Sequence, residues 1–129
     1  MTVHAACTLI MNDDGLVLAV ERRDLPDKWG LPGGKLEGAE TSREAAAREL
    51  YEEARVIVHP VKDLTPIFLT KSLHDHTVEI FRASSWRGKP ARGDAGAVAW
   101  VTWKKLFDGP FGRTLEQLHQ SLKDPRRDS

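Results

Sequence analysis

The chain has 129 residues, about the usual size of one domain, with material for one substantial core and too little for two. Its 19 basic and 19 acidic residues cancel, so no net field draws it to nucleic acid or to an anionic membrane, and a small molecule is the expected partner. The N-terminus has neither the basic and apolar regions of a signal peptide nor an apolar span of roughly 18 residues, and a single cysteine excludes an internal disulfide; a cytoplasmic protein is expected.

Residues 3–11 are apolar and partly alternating, and Asn12-Asp13-Asp14-Gly15 supplies turn chemistry before a second apolar run at 16–20, which reads as a hairpin. Cys7 lies in the first run, where a free thiol packs as a small hydrophobe. Glu21, Arg22 and Arg23 lead into a polar loop containing Pro26. Residues 29–34 read Trp-Gly-Leu-Pro-Gly-Gly; two glycines after a proline suit neither strand nor helix, so a turn with unusually bare backbone is expected. Thr41 and Glu44 have the spacing of a capping box and open an alanine-rich helix ending near Ala54. Beyond it, 56–58, 64–70 and 77–83 are strand-like, with His74-Asp75-His76 as the turn between the last two. Residues 87–96 form a loop, 98–101 another strand and 114–122 an amphipathic helix, and residues 123–129 are expected to fray. Strands on both sides of one central helix, with a second helix at the end, argue for a mixed α/β sandwich, one domain over residues 1–129.

On the central helix Glu49, Glu52 and Glu53 stand at i, i+3 and i+4, which places three carboxylates on one face. Ala46, Leu50 and Ala54 occupy another stripe that can bury against a sheet, leaving the acidic face open. Like charges so spaced oppose helix formation by roughly 0.2–0.5 kcal/mol per pair, unless a cation sits among them. A hard divalent cation such as Mg²⁺ suits oxygen ligands and commonly bridges carboxylates to substrate phosphates. The alternative is a solvated face in which Arg48 compensates Glu52 at i, i+4. Gly33 and Gly34 can bring backbone close to a metal or phosphate, Lys35 adds charge beside them, and Arg22 and Arg23 can reach phosphate or else form surface ion pairs.

Gly34, Glu40 and the run Arg48-Glu49-Leu50-Tyr51-Glu52-Glu53-Ala54-Arg55-Val56 together resemble the signature of the Nudix hydrolase family, of the MutT-like kind. Every fixed position matches except one, where the family's glycine is Arg55. The resemblance is sharp over residues 29–56 and implies a Nudix-type α/β/α sandwich with a mixed sheet. It implies, further, that Glu49, Glu52 and Glu53 bind metal or activate water, with the Gly34 carbonyl completing the metal shell. Arg48 would hold a glutamate in place, and Glu40 would be structural or an outer ligand. Many members add an acidic residue from a later loop, for which Asp94, shortly before Trp100, is the candidate; a plain loop aspartate is the alternative. A residue with a side chain at the position of Arg55 must bear a left-handed backbone costing roughly 1–2 kcal/mol, or end the helix differently.

The implied reaction is Mg²⁺-dependent hydrolysis of a pyrophosphate linkage, with Mn²⁺ as a possible substitute. A nucleoside triphosphate yielding monophosphate and pyrophosphate is the first choice; ADP-ribose or a nucleotide sugar is the second, and a nucleotide-binding protein without turnover the third. Phe68, Phe81, Phe111 and Trp103 are candidates to stack on a base, each with a core alternative. Neither a membrane nor nucleic acid is expected as partner, the histidines show no metal-ligand spacing, and oligomeric state is not legible in the residues.

Overall fold

The computed structural model describes residues 2–71 and 76–124; His74, Asp75 and the tail beyond Asp124 lie outside them. The chain runs β1 (Ala5–Leu9), β2 (Val17–Arg22), β3 (Leu25–Gly30), β4 (Gly33–Lys35), α1 (Ser42–Ala54), β5 (Thr65–Lys71), β6 (Thr77–Arg82), β7 (Val98–Val101), α2 (Trp103–Phe107) and α3 (Gly112–Lys123). No helix among the described residues is long and apolar enough to cross a membrane.

Two sheets form, a four-stranded one in the order β4-β1-β6-β5 and a three-stranded one in the order β3-β2-β7. The first is mixed, because β1 runs parallel to β6 while its other pairings are antiparallel. The expected hairpin survives at its turn, where Asn12 closes on Leu16 and Met11 bridges Val17, but β1 and β2 then diverge into different sheets. The expected loop around Pro26 is instead β3. It tolerates a proline because it is the edge strand of its sheet, where a missing N–H costs no ladder bond. Residues 56–58 make one isolated bridge, Ile57 to Arg87, rather than a strand. The short α2, capped by the Thr102 hydroxyl, is an element the residue pattern did not announce.

Side-chain alternation along the strands sets the layers. Ala6, Ile10, Leu18 and Phe81 cluster with Ala45, Ala46, Leu50 and Ala54 of α1. Leu9, Val17, Ala19 and Ile80 pack the other way, with Leu106, Leu115 and Leu118 of α2 and α3. The strands thus form the filling of an α/β/α sandwich, and β2 is apolar at consecutive positions because both of its faces are covered.

Candidate active site

Helix α1 begins as its residues dictate: the Thr41 hydroxyl accepts from the Glu44 amide at 3.1 Å and the Glu44 carboxylate accepts from the Thr41 amide at 2.9 Å. Burial of its alanine and leucine stripe turns Arg48, Glu49, Glu52 and Glu53 towards β4. The acidic face is therefore not open, as expected from the helix alone, but partly roofed: the Glu49 side chain keeps 14% of its exposure and Glu52 40%.

Residues 33–35 are a short strand rather than a turn, and the two glycines serve different contacts. A Cβ on Gly33 would lie 2.5 Å from the Ala6 carbonyl oxygen and 2.7 Å from the Cys7 Cα and Sγ, so its absence lets β4 close on β1. A Cβ on Gly34 would lie 2.7 Å from the Glu49 carboxyl carbon. That carboxylate is seated directly on bare backbone. Beside it, the Gly33 amide donates to Glu53 Oε1 at 2.8 Å, so the backbone of β4 engages a second glutamate of the helix face.

Arg48 organises the acidic residues. Its Nε and Nη2 donate to the two oxygens of Glu40 at 2.6 and 3.1 Å, and Nη1 donates to Glu49 Oε1 at 2.9 Å and Glu52 Oε2 at 3.1 Å. Nη2 also donates to the Lys35 carbonyl at 3.1 Å, tying α1 to the end of β4, and Glu37 stands 3.7 Å away. This arginine is the cation that offsets the like charges of the helix face, and it holds a second carboxylate pair that helix spacing alone does not reveal.

The environment separates the carboxylates. The Arg48 guanidinium holds Glu40 below the ordinary carboxylate range. Burial raises Glu49, against the pull of Arg48. Glu53 is pushed up to about 7, chiefly by burial, with the Gly33 amide opposing and Glu49 and Glu52 adding. Cys7 is packed as expected of a small hydrophobe; burial first, then the charges of Glu53 and Glu49, pushes its thiol up to about 12.

Among the described residues no three acidic, histidine or cysteine side chains stand gathered closely enough to hold a metal ion. The donor types nevertheless suit a hard divalent cation: carboxylates of Glu49, Glu52 and Glu53 stand beside the side-chain-free backbone of Gly34, and the one soft group near them, the Cys7 thiol, is kept protonated by burial.

The remaining expected residues are distributed around this centre. Lys35 is exposed at the end of β4. Arg22 pairs with Asp24 at 3.2 Å, lies 5.8 Å from the Phe111 ring centroid, and is near enough for its charge to act on Glu53. The Arg23 guanidinium is engaged by the carbonyls of Asp94 and, at 3.0 Å, Ala95. Asp94 lies at the carboxyl end of α1, where its carboxylate accepts from Arg55 at 3.2 Å. Of the four aromatic candidates, Phe81 lies in the core beneath α1, Phe68 and Trp103 pack against the opposite core cluster beneath α2 and α3, and Phe111 is 47% exposed.

The family model described as the NUDIX domain matches residues 1–122. An oxidized purine nucleoside triphosphate hydrolase of Danio rerio is 32% identical over 110 residues, 81% of this chain and 67% of that protein. A MutT-like protein of Streptomyces ambofaciens is 34% identical over 100 residues, 73% of this chain and 60% of that protein, so the matches span about two thirds or less of these relatives. The solution structure of the E. coli ORF135 protein shares the fold with a TM-score of 0.75 at 19% identity, covering 97% of this chain and 93% of that one. The signature residues gathered between α1 and β4, and a family match over nearly the whole length, establish that the chain belongs to the Nudix family.

Proposed function

We propose that this chain, acting as one domain, hydrolyses a nucleoside triphosphate to the monophosphate and pyrophosphate with the help of Mg²⁺, or Mn²⁺ in its place. The carrying observation is the seating of Glu49 and Glu53 on the bare backbone of Gly34 and Gly33, which fixes two carboxylates side by side on β4. The triphosphate-hydrolase name of the Danio rerio relative supports an oxidised purine triphosphate as the substrate.

When bound, the divalent cation supplies charge neutralisation at the phosphate oxygens. Glu52 and Glu53, with the Gly34 carbonyl, would hold it, with Glu49 at the edge of its shell. Glu49 is pressed on Gly34 and fixed by Arg48, and its carboxyl is raised by burial, so it is the side chain oriented to take the proton of the attacking water. Lys35 is exposed for phosphate contact, and Arg22 is better placed for it than Arg23, whose guanidinium is held by the 94–95 carbonyls. Phe111, beside Arg22, is the aromatic surface available to a base.

Product analysis across nucleoside triphosphates, ADP-ribose and nucleotide sugars, with Mg²⁺ and with chelator, tests the reading. Metal-dependent release of pyrophosphate is expected. Glu53→Gln is expected to lose both Mn²⁺ binding and turnover, and Glu49→Gln to bind Mn²⁺ while losing at least about 100-fold in kcat. A phosphosugar product would reassign the substrate, and nucleotide binding without turnover of any substrate would make the protein a sensor.

A further inference from the structure

Arg55, in place of the signature glycine, takes the glycine's backbone conformation, with φ 59° and ψ 27°, and its amide closes α1 on the Tyr51 carbonyl at 2.9 Å. That conformation is strained for any residue with a Cβ, so the contacts around it must offset the cost, and those of the side chain are particular to arginine. Its guanidinium lies over the Tyr51 ring, 5.3 Å from the centroid, and donates to Asp94 Oδ1 at 3.2 Å.

What Asp94 belongs to gives this pair its leverage. The amides of Ala91, Gly93 and Asp94 donate to the carbonyls of Ala54, Glu53 and Glu52 at 3.0, 3.1 and 2.8 Å, satisfying the end of the helix, whose last carbonyls have no partner within it. The approach is so close that a Cβ on Gly93 would lie 2.0 Å from the Glu52 carbonyl oxygen. On its other side the same segment is laced to β2: Arg23 donates to the carbonyls of Asp94 and Ala95, the Glu21 amide donates to the Ala97 carbonyl at 2.8 Å, and a Cβ on Gly96 would lie 2.3 Å from the Glu21 oxygen.

We propose that Arg55 and Asp94 are positioning residues: their ion pair registers segment 91–97 on the carboxyl end of α1 and thereby sets Glu52 and Glu53, whose own carbonyls the segment binds. The Asp94 carboxylate engages Arg55 through Oδ1. As a solvent-facing pair it stabilises little by itself, the side chains being 39% and 68% exposed; its effect lies in the three backbone hydrogen bonds it keeps in register. The catalytic consequence rests on the hydrolase reading above, whereas the registration of the segment does not.

The test compares the full chain with Arg55→Gly, Arg55→Lys, Asp94→Asn and the double variant Arg55→Gly/Asp94→Asn. Amide hydrogen exchange at Gly93 and Asp94 is read first, then Mn²⁺ binding by calorimetry, then kcat and KM on a nucleoside triphosphate. Arg55→Gly and Asp94→Asn are each expected to speed exchange at those amides and to lower kcat by roughly 3- to 10-fold with KM near wild type, the double variant no worse than either single one. Arg55→Lys should recover part of both. Unchanged exchange in Arg55→Gly, or additive losses in the double variant, would overturn the proposal. So would weaker Mn²⁺ binding in Asp94→Asn with none in Arg55→Gly, which would make Asp94 a ligand. If the wild-type chain turns over no substrate, the hydrolase reading fails while the exchange measurement still decides this one.

Discussion

Phe111 keeps nearly half of its surface exposed, yet it is not idle: it sits at the start of α3, a Cβ on Gly30 would touch its ring at 3.6 Å, and Arg22 lies over it. Stacking of a base on such a ring is worth roughly 1–3 kcal/mol. We predict that Phe111→Ala raises the KM of a nucleoside triphosphate by about tenfold with kcat near wild type, and that Phe111→Tyr restores it. An unchanged KM would remove Phe111 from the substrate surface. The four aromatic candidates were equivalent as residues; exposure separates them, and exposure is decided by which strand face or helix end each one falls on. Arg48 teaches the same lesson. Its i, i+4 contact with Glu52 was legible from helix spacing, but its bond to the Lys35 carbonyl needed β4 to be folded against α1.

Local rules held for the elements wherever one element suffices to apply them. The capping box of α1 formed as spaced, and Thr41→Ala should cost about 1 kcal/mol in urea unfolding by leaving the Glu44 amide without its hydroxyl partner. A loss near zero would mean that α1 is held by packing on the sheet alone. Rules failed where pairing intervenes. Pro26 marked a loop until β3 proved to be an edge strand, and the glycines at 33 and 34 marked a turn until β1 provided a partner. Likewise the turn at 12–15 is correct, although the strands it joins part company. Gly93 and Gly96 carried no signal at all, because what forbids a side chain there is the backbone of α1 and β2, distant in sequence.

Across the whole molecule, burial of the acidic face against the sheet makes stability depend on pH. The Glu53 carboxyl lies at about 7 in the folded chain against 4.5 for an ordinary glutamate. Between these values the folded chain retains a proton that the unfolded chain has released, so the Glu53 contribution falls as pH rises through the window. Glu40, lowered by Arg48, acts in the opposite sense: its contribution is present above the ordinary carboxylate range and is lost as pH falls through its lowered value. In chelator, the Tm of the wild-type chain relative to Glu53→Gln should therefore decline from pH about 4.5 to about 7. Added Mg²⁺ should abolish the decline, since the cation binds the ionised form. A flat difference in chelator would show that Glu53 titrates as an ordinary exposed glutamate.

By itself the sequence determined what depends on spacing along one chain: the capped helix, its buried alanine and leucine stripe, the three carboxylates at i, i+3 and i+4, and the signature that marks the family. Helical periodicity is local, so these follow wherever the segment folds. Tertiary structure decided which carboxylates are shielded, which glycine lets Glu49 reach backbone, where Asp94 spends its charge and which aromatic stays exposed. Those are properties of surfaces brought together from distant parts of the chain, and burial and electrostatic shift arise only when water is displaced between them.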